Sequence, residues 1–83
     1  MKRTNVNIVG WKEFKELAKR RGHVPSAWLR ELLDKAIKNG IPDIEVPVRG
    51  REQVNIYLEA DLSGFKESTS TILSKVIADA LRT

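Results

Sequence analysis

Apolar and polar residues alternate along two short stretches, Thr4-Asn5-Val6-Asn7-Ile8-Val9 and Glu52-Gln53-Val54-Asn55-Ile56-Tyr57-Leu58. Alternation of that length marks a half-buried β-strand, because successive side chains leave opposite faces of an extended backbone. Val6, Ile8, Val54, Ile56 and Leu58 then share an inward face. Asn5, Asn7, Gln53, Asn55 and Tyr57 share an outward one, rich in hydrogen-bond donors and acceptors. Val6-Asn7-Ile8 returns unchanged 48 positions later as Val54-Asn55-Ile56.

After the first strand Gly10 breaks the alternation and the period becomes helical. Trp11, Phe14, Leu17 and Ala18 fall on one face of a helix over 11–21, which ends in basic residues followed by Gly22. His23-Val24-Pro25-Ser26 opens a second helix, with Pro25 in the first turn, where a backbone N–H lacks an intrahelical partner anyway. Its stripe is Leu29, Leu32, Leu33, Ala36 and Ile37, and Asn39-Gly40 closes it. Pro42 and Pro47 oppose helix over residues 41–50, so that segment reads as a linker held down by Ile41, Ile44, Val46 and Val48.

The second half follows the same order. Residues 59–67 predict a short helix with Leu62 and Phe65 inward, and Ser68-Thr69-Ser70 supplies the cap of a last helix. That helix carries Leu73, Val76, Ile77, Ala80 and Leu81, each 44 positions after its counterpart in the first half. Strands repeat at 48 and helices at 44; the difference of four is about one helical turn, which leaves an apolar face in register. The expected architecture is α+β and mostly helical: one domain over 1–83, with a first strand-helix-helix unit over 1–38, a linker over 39–50 and a second unit over 51–83.

At 83 residues with no cysteine, the chain must rely on one small core or on association, since disulfides and thiolate metal sites are excluded. No apolar run approaches a membrane span, and a cytoplasmic location is expected. Charge is uneven. Residues 1–40 hold ten Lys and Arg against four acids, a net of +6, and residues 41–83 hold five against seven, a net of −2. A basic half fits a polyanionic partner.

Strand, helix, Gly-containing turn and helix within about forty residues resembles the ribbon-helix-helix family of DNA-binding proteins, which includes the Arc and methionine repressors. The likeness is strongest over Gly22-His23-Val24-Pro25-Ser26-Ala27-Trp28-Leu29-Arg30-Glu31-Leu32-Leu33, and Ser68-Thr69-Ser70-Thr71-Ile72-Leu73-Ser74-Lys75-Val76-Ile77 is similar without the glycine. Val24 stands where a hydroxyl residue is usual, and the helix near 60–66 is short. The resemblance implies a two-stranded antiparallel ribbon, here from two repeats in one chain related by a pseudo-two-fold, packed on four helices and entering a DNA major groove.

Asn and Gln can bond adenine and Arg can bond guanine along major-groove edges. Arg3, Asn5, Asn7, Arg51, Gln53, Asn55 and Tyr57 are therefore the expected base contacts. Helix starts attract phosphate through free N–H groups, which nominates His23, Val24, Ser26, Ser68, Thr69 and Ser70, with Lys2 and Lys12 adding attraction. Because the outer residues of the two strands differ, an asymmetric site is expected, with chains associating on DNA.

The resemblance implies a transcriptional repressor of a plasmid, phage or mobile element, or an accessory protein that marks a DNA site in conjugation or partition. An antitoxin-like interaction module is a weaker alternative, since the sequence stops at Thr83 without room for a toxin-binding tail. A lone histidine, no glycine-rich phosphate loop and no evident carboxylate pair argue against an enzyme, and no cofactor, metal or small-molecule substrate is expected.

Overall fold

Two strands and three helices account for the regular structure among the described residues. The structure, a computed structural model, describes residues 2–46, 49–58, 62 and 64–82, and only the backbone of Lys2, Arg3, Thr4 and Leu58. The elements run β1 (Lys2–Val9), α1 (Trp11–Arg20), α2 (Pro25–Asn39), β2 (Arg51–Leu58) and α3 (Thr69–Arg82). β1 and β2 pair antiparallel as a two-stranded sheet, with Val6 opposite Val54, Asn5 opposite Asn55 and Asn7 opposite Gln53.

The alternating pattern does what it predicts. Val6, Ile8, Val54 and Ile56 are buried, while Asn5, Asn7, Gln53 and Asn55 are exposed. An isolated two-stranded ribbon is marginal in water. This one lies on a core built from Phe14, Leu29, Leu33, Ile72, Leu73 and Ile77, all fully buried.

α1 begins at Gly10, whose φ of 82° lies in the left-handed region. A Cβ there would stand 3.4 Å from both Ile77 Cγ2 and Leu81 Cδ1 on α3, an ordinary van der Waals contact, so it is the left-handed turn that calls for glycine. Gly22, at φ 74°, ends α1 in a Schellman motif. The Gly22 N–H donates to the Lys19 carbonyl at 3.1 Å and the His23 N–H to the Ala18 carbonyl at 2.8 Å. Trp11, Phe14 and Trp28 stack in sequence, with centroids 5.8 and 4.8 Å apart, and lock α1 onto α2.

Ile41, Pro42, Ile44 and Val46 are half-buried, as expected of a linker held down along the surface. Val48 lies outside the described residues. The expected short helix before α3 needs correction. Glu59, Ala60, Asp61 and Ser63 lie outside the described residues, but Leu62 is irregular and residues 64–67 form a turn and bends. The Phe65 N–H donates to the Leu62 carbonyl at 3.1 Å. Leu62 is buried, whereas Phe65 is 37% exposed and is not the core residue its spacing predicted. The segment carries Gly64 and is too short to repay helix nucleation. Three helices, not four, support the ribbon among the described residues.

Candidate nucleic-acid interface

The outward face of the ribbon is set by the register. Its rungs are Arg3 opposite Tyr57, Asn5 opposite Asn55, Asn7 opposite Gln53, and Val9 opposite Arg51. Asn5, Asn7, Arg51, Gln53, Asn55 and Tyr57 are all exposed, Tyr57 by 50%, and Val9 is half-buried. Arg3 occupies an outward register position, and its side chain, like that of Lys2, lies outside the description. No carboxylate stands at an outward position of either strand. Glu52 is opposite Ile8 and belongs to the other parity.

β1 is held in place from its free edge. The Asn7 N–H donates to the Ser70 Oγ at 3.1 Å, and the Val9 N–H donates to the Ser74 Oγ at 3.1 Å. Both N–H groups therefore point away from β2. In an antiparallel pair this makes Asn7–Gln53, and by alternation Asn5–Asn55, the closely spaced rungs without mutual backbone bonds. Four amide side chains are thus crowded onto two neighbouring rungs, of which α3 fastens the β1 edge.

Ser74 was not singled out by its sequence context. It is the one buried polar residue named among the described core, 1% exposed, and its hydroxyl is satisfied by β1. A hydroxyl interrupting the apolar run Ile72-Leu73 and Val76-Ile77 was the available signal. Its partner, however, is 65 positions away.

The helix starts differ. Ser68 caps α3: its Oγ accepts the Thr71 N–H at 3.2 Å and shares a 2.9 Å hydrogen bond with the Thr71 hydroxyl. Thr69 and Ser70 are half-buried in the first turn, and the Ser70–Asn7 bond brings that turn to the ribbon edge. α2 starts after Val24, which offers no side-chain cap and is 65% exposed, and Ser26 is half-buried. The His23 N–H is already taken by the α1 cap, and the His23 ring stacks on Trp28 with centroids 5.0 Å apart. The Arg21 guanidinium lies 5.7 Å from the centre of the same indole. Lys12 is exposed in the first turn of α1.

A cleft of about 410 Å³ opens between α2 and α3 beside Arg21, Trp28, Lys35 and Asp79, with no β1 or β2 residue in its lining. Among the described residues no group of histidine and carboxylate side chains is placed to hold a metal ion, and no helix is long and apolar enough to cross a membrane. Compared with known protein families, curated proteins and solved structures, the chain matches none.

Proposed function

We propose that this chain is a sequence-specific binder of double-stranded DNA that lays the outward face of the β1–β2 ribbon in the major groove, in the manner of ribbon-helix-helix repressors. The observation that carries the reading is that face itself: two amide rungs between outward positions held by Arg3 and Arg51, with no acid among them. A major groove about 12 Å wide admits a two-stranded ribbon, and amide and guanidinium groups match its adenine and guanine edges. Asn is depleted in strands, so three of them with a Gln on one small face call for a reason.

Two features support reading the chain as a tandem repeat around that ribbon. Val6 stands opposite Val54, its own counterpart at the strand offset. Leu29, Leu33 and Ala36 of α2 and Leu73, Ile77 and Ala80 of α3 are buried in the same order at the helix offset. The starts of α2 and α3 then supply backbone N–H groups and hydroxyls to phosphates on either side. The basic first half adds non-specific attraction. Control of a plasmid, phage or mobile-element promoter is the role such a unit would fill.

The test is a binding titration against random-sequence duplex at two salt concentrations. Counterion release makes the expected binding salt-sensitive. Asn7→Ala and Asn55→Ala remove exposed side chains only; each should keep the fold and cost about 1–3 kcal/mol of discrimination against non-cognate duplex. Binding that is weak and equal on every sequence would defeat the proposal.

A further inference from the structure

The two strands differ in sequence, which on first reading implies an asymmetric DNA site. The register alters that expectation. With a strand offset of 48, the rung Asn5–Asn55 maps onto Gln53–Asn7, and the rung Arg3–Tyr57 maps onto Arg51–Val9. The Val6–Val54 rung maps onto itself and marks a local two-fold axis. About that axis Arg3 matches Arg51, Asn7 matches Asn55 and Asn5 matches Gln53, which has the same amide one methylene longer. Only Val9 against Tyr57 breaks the chemistry. The half-exposed phenol stands at one end of the ribbon, beside Arg3, and a half-buried aliphatic side chain stands at the other, beside Arg51.

Resting on the DNA-reading function above, we infer that a single chain reads one near-palindromic site and that Tyr57 sets its orientation there. Residues 3 to 9 span about 20 Å at roughly 3.4 Å per residue, or about six base-pair steps. Adenines lie at the inner pairs, bonded by Asn5, Asn7, Gln53 and Asn55, and guanines lie at the ends, bonded by Arg3 and Arg51. The phenol of Tyr57 contacts only one end, by stacking on sugar or by a hydroxyl bond to a base edge. Symmetric chemistry at three outward positions makes the site look like that of a homodimer. A single tyrosine gives it a direction.

Selection of enriched duplexes by the full chain, followed by native mass spectrometry on a short duplex holding one copy of the motif, tests this. The expected result is a motif with an internal two-fold, broken at one end, carrying one chain. Changing an inner adenine should weaken binding roughly 5- to 150-fold. A salt-sensitive motif with no internal two-fold, or a palindrome carrying two chains as the smallest unit, overturns the inference and leaves DNA reading intact. No enriched motif overturns both. Tyr57→Val and Val9→Tyr each make the ends alike, so either variant, with its fold checked by circular dichroism, should yield a more symmetric motif. An end asymmetry that persists in a folded variant removes Tyr57 from the role.

Discussion

Gly10 shows how one residue places the ribbon on its support. Its positive φ turns β1 into α1 beside α3, where a Cβ would make only ordinary van der Waals contact, so backbone conformation rather than space selects glycine. Gly10→Ala adds a methyl that meets Ile77 and Leu81 at contact distance and forces alanine into the left-handed region. The expected cost is about 1–2 kcal/mol, read as a lower denaturant midpoint with an unchanged slope. A smaller residue-scale fact bears on function. The His23 N–H was expected to be free for phosphate, but it closes the Schellman motif of α1. At the start of α2 the N–H groups of Ser26 and Ala27 are better placed for that role, because Val24 provides no side-chain cap.

At the scale of elements, β1 and α3 act as one piece. Ser70 and Ser74, one turn apart, take the two outward N–H groups of Asn7 and Val9. Ser74→Ala would leave the Val9 N–H without its buried partner, so a loss of about 1–3 kcal/mol is expected. Amide hydrogen exchange should show it first, as faster exchange confined to β1 and not spread through α1 and α2. The Lys75–Glu67 pair, 2.6 Å apart, ties the turn before α3 to the helix on its other side.

Sequence pattern and element outcome agree where a single period runs long enough. The alternation at residues 4–9 and 52–58 and the stripes of α2 and α3 each repeat over several positions, and each element formed with its expected described residues inward except at the end of α3. There Leu81, expected in the stripe, is 39% exposed because the last turn runs past the core. The segment before α3 offered only Leu62 and Phe65 at helical spacing, and there a turn formed instead. Two apolar residues three apart suit a turn as well as a helix, and only the energy of nucleation separates the cases. The rungs of the ribbon were not legible either. Alternation assigns faces, but it does not say which residue of β1 meets which residue of β2; that depends on how the inward side chains of both strands seat together on the core.

For the whole molecule, the charge asymmetry and the ribbon both enter the proposed binding of DNA. Lys12 is exposed in the first turn of α1, one helix start from the ribbon. Lys12→Ala should weaken binding to all duplexes alike and make the salt dependence shallower by about 0.9 in log–log slope, the value of one lost phosphate contact. Asn7→Ala should instead leave that slope unchanged and alter which sequences are preferred. The two substitutions separate positioning from reading on one molecule.

The most direct measurement follows the side-chain amide signals of Asn5, Asn7, Gln53 and Asn55 by nuclear magnetic resonance while an enriched duplex is added. Ribbon reading predicts that these signals shift first and furthest, with Tyr57 alongside them and the α2–α3 cleft around Lys35 and Asp79 unmoved. Shifts concentrated on that cleft, with the four amides unchanged, would contradict it.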